Sequence, residues 1–176
     1  TVMNEQTVYR VPGNSHSSRQ ASVELMYTLL AGDTAYKTNA VRTLNWATYT
    51  VAADGRNRYI LDDIWLTDGY GDYVRHYLRA MAALPELAPD ENHLLSSSSV
   101  VRSVSYTNDK VAFTTFDEHS DVTLRLIAKP VTITADDKPL SESSGACNNC
   151  WTWVPLDKGG YVRLRYTGAK SVSVNL

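Results

Sequence analysis

The spacing of hydrophobic residues changes near Val100, and this change divides the chain into two regions. Before that point, apolar residues recur every three or four positions, which predicts helices. After it, they recur at every second position, which predicts short strands. We therefore expect an α+β protein, with a helical domain over residues 1–95 and an antiparallel β-sandwich domain over residues 96–176.

The first two predicted helices form an antiparallel hairpin. The first helix begins at Ser17 or Ser18, because a serine hydroxyl can cap the free amides of a first turn. Gly32 suits a left-handed residue at its end, and Asp33 can cap the second helix, over about 34–51. So short a junction makes the two helices neighbours. The residues expected to face the core are Ala21, Leu25, Met26, Leu29 and Leu30, followed by Tyr36, Ala40, Val41, Leu44, Ala47, Thr48 and Val51.

A third helix is predicted after Gly69 or Gly71, and it ends before Pro85. The spacing gives it one apolar and one polar side. The apolar side contains Tyr70, Tyr73, Val74, Tyr77, Leu78 and Met81, and the polar side contains Asp72, Arg75, His76 and Arg79.

Seven strands are predicted in the second region, separated by clusters of turn-forming residues. They cover residues 100–106, 111–116, 122–127, 131–134, 151–154, 161–166 and 171–174. Seven short strands at this spacing are typical of an antiparallel sandwich. The linking segment 89–99 is interpreted as a loop that crosses between layers and is anchored by Leu94 and Leu95.

Composition narrows the function classes. Hydrophobic residues make up 43% of the chain and charged residues 20%, as in a globular protein. The apolar runs are too short for a membrane-spanning helix. Because 17 Lys and Arg stand against 19 Asp and Glu, a nucleic-acid partner is not expected. The 11 Tyr and 4 Trp against 2 Phe suit wet surfaces and ligand clefts. No phosphate-binding loop or dinucleotide fingerprint occurs in the sequence, and we expect no cofactor.

Cys147 and Cys150 are the two cysteines of the chain. A Cys-x-x-Cys pair can form a redox site beside a βαβ unit, but here it lies among Gly and Asn between predicted strands. A zinc site needs further ligands, so no metal is expected. A local disulfide that shapes a loop in an oxidising compartment is the main interpretation, with a reduced pair as the alternative. Secretion is therefore expected.

The segment 62–73 has the densest functional pattern, with four carboxylates, one Trp and two Tyr around two glycines. Acid/base chemistry on a sugar needs one carboxyl with a raised pKa and a second group across the bond. The candidates for catalysis are Asp68, Tyr70, Asp72, His76 and His16, with Trp65 stacking on a sugar ring. Alternatively, Asp68 caps the third helix and Asp72 pairs with Arg75 or His76 one turn along.

Two further groups are candidates for substrate binding. His16 and Arg19 lie at a predicted helix N-terminus, which can hold a carboxylate, or they are exposed neighbours of an ordinary cap. Trp151 and Trp153 point the same way along a strand, where they form either a sugar-binding platform or part of the sandwich core.

Residues 65–78 (WLTDGYGDYVRHYL), the Ser-rich crossing and the strand phrase VTLRLIAKP resemble the C-terminal part of secreted α/α-toroid carbohydrate-active enzymes. The two predicted helical regions resemble the last hairpins of such a toroid. The resemblance implies a glycoside hydrolase or polysaccharide lyase that acts on a polysaccharide or oligosaccharide outside the cell or in the periplasm. Because the sequence starts at Thr1, we expect an N-terminal part of a longer chain, or another subunit, to complete it.

Two other functions stay open. The chain could be a non-catalytic carbohydrate-binding module, for which exposed coplanar aromatic rings would be the sign. It could also be a structural or assembly module of an extracellular protein, for which an exposed apolar patch on the helices would be the sign.

Overall fold

The computed structural model describes residues 3–4, 12–56, 71–145 and 147–176. The chain divides into two compact units, Thr1–Leu84 and Pro85–Leu176, called here the helical unit and the β unit. The fold is α+β, as expected. The division lies earlier than residue 95 because a strand between residues 90 and 100 pairs with the sheet of the β unit.

The described part of the helical unit contains a two-stranded antiparallel pair and three helices. The strands are β1 (Met3–Asn4) and β2 (Pro12–Gly13), and the helices are α1 (Asn14–Ala31), α2 (Lys37–Thr48) and α3 (Gly71–Ala83). Helix α1 packs against both α2 and α3. None of the described helices is long and apolar enough to cross a membrane.

Helix α1 begins at Asn14, so the expected start at Ser17 or Ser18 is wrong. Both serines are buried inside the helix. The Ser17 hydroxyl accepts the Met3 amide at 3.0 Å, and the Ser18 hydroxyl donates to Asn14 Oδ1 at 3.3 Å. The Ser17 hydroxyl therefore connects α1 to β1, and the Ser18 hydroxyl bonds the first residue of its own helix.

The expected end of α1 is confirmed. Gly32 has a φ of 71°, the left-handed region that favours glycine, and its amide donates to the Thr28 carbonyl at 3.0 Å. Asp33 accepts the Ala35 amide at 2.9 Å in a turn, but α2 begins only at Lys37. Asp33 is therefore a turn residue and not the cap of α2.

The packed faces of the helices differ from the expected ones. Leu30 is 80% exposed, although the spacing placed it in the core. In α3, the buried line is His76, Ala80 and Ala83, whereas Val74 and Leu78 of the expected apolar side are largely exposed. His76 was expected on the polar side, yet it is only 2% exposed. The alanines let α3 come close to its neighbour, and the histidine is buried with them.

All seven predicted strands are present, and three more occur in the described β unit. A short 3-10 turn (Pro85–Leu87) precedes β3 (His93–Ser97), β4 (Val101–Tyr106), β5 (Lys110–Thr115), β6 (His119–Leu126), β7 (Thr132–Ala135), β8 (Lys138–Pro139), β9 (Ser141–Glu142), β10 (Cys150–Pro155), β11 (Gly160–Thr167) and β12 (Ser171–Asn175). Strand β3 corrects the interpretation of segment 89–99 as a loop. The anchoring role expected of Leu94 is seen, since its side chain packs against the core.

The strands form two five-stranded sheets, in the orders β3-β6-β11-β10-β9 and β4-β5-β12-β7-β8. All pairings are antiparallel except that of β9 with β10. One contiguous apolar core takes side chains from both sheets, as in a sandwich. Along β11, Val162, Leu164 and Tyr166 are buried in this core, as the alternation predicted.

The Ser-rich crossing from one sheet to the other is a hydrogen-bonded corner. The Ser99 hydroxyl donates to Asp117 Oδ2 at 2.8 Å, and the Asp117 amide donates back to it at 2.9 Å. The hydroxyls of Ser97 and Ser120 lie 2.9 Å apart. Serines are needed here because buried backbone groups at a crossing require polar partners.

The predicted disulfide between Cys147 and Cys150 is present. It closes a tight turn in which Asn149 has a φ of 55°, and Asn149 Oδ1 accepts the Thr167 amide at 2.8 Å. The bond therefore shapes a loop that is also held to β11.

Candidate functional site

A polar cleft of about 840 Å³ opens in the β unit, between the segment around Glu86 and the loop that joins β10 to β11. We call it the Arg125 cleft, because Arg125 is the least exposed of its lining residues. Its lining residues are Glu86, Asp90, Arg125, Pro155, Leu156, Asp157 and Lys158. A volume of this size is typical of sites that bind small molecules.

Arg125 lies on β6, on the opposite face from the core residues Leu124 and Leu126. Its guanidinium is only 2% exposed, and a charge buried to that degree must be paired. Asp90 Oδ1 accepts from Nη2 at 2.7 Å. Four hydrogen bonds are made in all, and the other acceptors are the carbonyls of Lys158 at 2.5 Å and of Leu126 and Gly160 at 2.8 Å each.

The carbonyls of the β10–β11 loop reach the Arg125 guanidinium because Gly159 and Gly160 let the loop backbone come close to β6. Gly159 has a φ of 61°, and a Cβ there would collide with the Leu126 carbonyl oxygen. A Cβ on Gly160 would collide with the Trp153 ring. The pair of glycines is therefore required by the packing of the β10–β11 loop onto β6.

Asp90 joins the two cations of the cleft. Its second carboxylate oxygen lies 3.4 Å from Lys158 Nζ, and Lys158 is otherwise well exposed. Asp157 is also exposed. Glu86 lies in the 3-10 turn on the other side of the cleft. The cleft thus presents carboxylate acceptors and an ammonium donor around the Arg125 guanidinium. Backbone carbonyls hold this guanidinium in place.

The predicted catalytic residues whose side chains the structure describes, His16 and His76, lie in the helical unit. Asp68, Tyr70 and Trp65 are outside the described residues, and for Asp72 only the backbone, in α3, is described. His76 is buried, His16 is half-buried near the start of α1, and Arg19 is exposed one turn further along the helix. None of the lining residues of the Arg125 cleft is among those predicted from the sequence.

Trp151 lies in the sandwich core, and Trp153 lies at its edge. This favours their interpretation as part of the core over that of a sugar-binding platform. Trp151 is 4% exposed, and its indole Nε1 donates to the Leu140 carbonyl at 3.1 Å. Trp153 packs against the core and on Gly160. The Trp151 ring lacks the exposure that a sugar-stacking platform needs, and the Trp153 ring is half-buried.

The tyrosines of α3 are held in their neutral form. Burial raises the pKa of Tyr77 well above its ordinary value, and the nearby Tyr73 adds to the effect. Burial also raises the pKa of Tyr73. The Tyr77 hydroxyl donates to the Leu44 carbonyl of α2. The Tyr77 phenol therefore acts as a hydrogen-bond donor between α3 and α2, and neither phenol is a base at neutral pH.

Arg125 could not be identified as a site residue from local sequence patterns. Alternation along β6 places its side chain on the face of the strand away from the core, where side chains are normally exposed. Its partners come from residues about 35 positions away on either side, which no short window contains. The local signal was the Gly159-Gly160 pair, since adjacent glycines beside a strand indicate a close backbone approach.

Across residues 3–4, 12–56, 71–145 and 147–176, no group of three or more His, Cys, Asp or Glu side chains is arranged to hold a metal ion. Comparison with known proteins gives no match to a protein-family model, to a curated protein or to a solved structure. The Arg125 cleft is therefore interpreted from its own geometry.

Proposed function

We propose that this protein is an extracellular carbohydrate-binding protein and that the Arg125 cleft binds an oligosaccharide. The observation that carries the proposal is the cleft itself, which has both donors and acceptors on its walls and a size suited to a small ligand. Sugar hydroxyls both donate and accept hydrogen bonds, so this mixture of groups fits them. The resemblance of the sequence to carbohydrate-active proteins supports the same ligand class.

The charges favour a neutral or amino sugar over an acidic one. The three carboxylates of the lining outnumber its two cations by one. Both cations are already paired with Asp90, at 2.7 Å for Arg125 and 3.4 Å for Lys158. An anionic ligand would have to compete with Asp90 for them, whereas a hydroxyl can use Asp157 as an acceptor.

The disulfide supports the extracellular location, because such bonds persist in oxidising compartments. The proposal is for binding and not for bond cleavage. Among the acid/base candidates that the structure describes, His76 is buried in the packing of α3.

The test is a glycan array followed by titration calorimetry with a neutral oligosaccharide from the array. Asp157→Asn should weaken the binding about tenfold, because it removes a charged acceptor from the cleft. The matched control is Glu118→Gln, which neutralises another exposed carboxylate of the β unit outside the lining. If neither a neutral nor an amino sugar binds, or if both variants weaken binding equally, the proposal is wrong.

A further inference from the structure

The outer face of one sheet carries an aromatic ring beside the Arg125 cleft. Along β11, Val162 and Leu164 are buried in the core, and Tyr161 alternates with them and so lies on the outer face. Arg125 lies on the outer face of β6, and its Cα is paired with that of Tyr161. Directly paired residues of neighbouring antiparallel strands have Cβ atoms about 5 Å apart. The Tyr161 side chain therefore begins at the border of the cleft, next to one of its lining residues.

Tyr161 has the surroundings of a ligand-binding ring. It is half-buried, and its partner on β10, Val154, lies on the same face and is 37% exposed. A half-buried ring beside an aliphatic side chain offers the apolar surface on which the C–H face of a sugar ring packs. No hydrogen bond of the Tyr161 hydroxyl occurs within the described part of the chain, whereas the buried Tyr166 hydroxyl lies 2.8 Å from that of Thr115. The Tyr161 hydroxyl is therefore available to a ligand.

Arg163, the next outward residue of β11, adds hydrogen-bond donors beside the ring. It is exposed, and its guanidinium carbon lies 5.4 Å from the centroid of the Tyr161 ring, a cation–π distance. The following outward residue, Arg165, is paired with Asp121. Arg163 instead faces Thr123 on β6, and no ion pair of its guanidinium occurs among the residues that the structure describes. Its N–H groups can therefore donate to the oxygen atoms of a ligand.

We propose that the Arg125 cleft binds one end of an oligosaccharide whose next units extend along the outer face, where one stacks on Tyr161 and accepts hydrogen bonds from Arg163. This inference rests on the function proposed above and adds a second subsite to it. The cleft and the ring lie on one continuous face, so a single extended ligand can contact both. The strand that carries Trp151 and Trp153 pairs with β11, so the aromatic platform lies on the strand next to the predicted one.

The test is titration calorimetry with the neutral or amino sugar that a glycan array selects, supplied as its monomer through its hexamer. The affinity of the wild-type chain should rise with the length of the oligosaccharide until the subsite at Tyr161 is filled. Tyr161→Ala should weaken the binding of the hexamer about tenfold and leave that of the shortest oligomer that binds unchanged. Tyr161→Phe keeps the ring and should lose clearly less affinity for the hexamer. Far-UV circular dichroism checks that both variants are folded.

Phe116→Ala is the matched control, because Phe116 is also an exposed ring of the β unit with an arginine, Arg102, over it at 4.8 Å. Phe116 precedes the start of β6, whereas Tyr161 pairs near the end of that strand, so this variant should bind every length as wild type does. If the wild-type chain binds no oligomer of any length, the proposed function itself is wrong. If sugars bind but Tyr161→Ala weakens no length, or weakens all lengths equally, the second subsite alone is overturned.

Discussion

The β unit buries a continuous apolar core, whereas much of the buried surface of the helical unit is polar. Fifteen buried apolar residues, thirteen of them on strands of the two sheets, form one cluster in the described part of the β unit. In α1, by contrast, the buried residues include Asn14, Ser15, Ser17, Ser18 and Ser22. Of the large apolar residues of that helix, Leu25 is buried, whereas Tyr27 and Leu30 are exposed.

This difference indicates that the two units depend on different interactions. Burial of apolar surface stabilises the β unit in proportion to the area removed from water. Small polar residues bury little apolar area, so the helical unit depends more on hydrogen bonds between helices. Variants of the 176-residue chain test this contrast, with hydrogen exchange reporting on each unit separately.

The largest effect is expected from Leu124→Ala in the β unit. Leu124 is fully buried between the sheets, and its truncation leaves a cavity as well as removing apolar contact. We expect the free energy of unfolding of the β unit to fall by about 2–5 kcal/mol. The measurement is the exchange rate of the β11 amides, which pair with β6. Val131→Ala, at an exposed position, should change it little. An equal effect of both variants would argue against a single cooperative core.

The next largest effect is expected from Asn14→Ala in the helical unit. Asn14 Nδ2 donates to the Ala47 carbonyl at 2.8 Å and contacts the Thr50 hydroxyl, and its Oδ1 accepts from Ser18. Removing it leaves buried polar groups without this partner, so the stability of the helical unit should fall by about 1–3 kcal/mol. The measurement is the exchange rate of the α1 amides.

Asn45→Ala is the control for Asn14, because Asn45 is exposed on α2. If the two variants have the same small effect, the polar interior of the helical unit contributes less than its geometry indicates.

The contrast between the apolar interior of the β unit and the partly polar interior of the helical unit also explains which elements could be predicted from the sequence. Strands were found because side chains alternate across a sheet with a strict period of two. Strand β3 was missed because a bulge between Leu94 and Ser96 breaks that alternation. The start of α1 was missed because its buried residues are Asn and Ser, which a hydrophobic pattern does not register.

The Arg125 cleft lay beyond the reach of local patterns. Its central ion pair joins Arg125 to Asp90, and the carbonyls that hold the guanidinium come from a loop on the other side of β6 in the sequence. Only the fold brings these three segments together. The candidate segment 62–73 lies outside the described residues up to residue 70, so its role stays a prediction.

The smallest effect is expected from Tyr77→Phe, and it should depend on pH. At neutral pH the variant loses one hydrogen bond to the Leu44 carbonyl, which is worth about 1 kcal/mol. Because the pKa of Tyr77 is raised in the folded chain, the wild-type phenol stabilises the helical unit fully below its unfolded pKa of about 10 and progressively less above it.

Thermal unfolding followed at 222 nm should therefore show wild type losing more stability than Tyr77→Phe between about pH 8 and about pH 11. Tyr49→Phe is the matched control, because Tyr49 is exposed and its substitution leaves the other groups that titrate in this range unchanged. This control should follow wild type throughout. If Tyr77→Phe instead loses stability as steeply as wild type above pH 10, the Tyr77 phenol does not hold α3 to α2. The evidence for a polar interior in the helical unit would then rest on Asn14 and the serines of α1 alone.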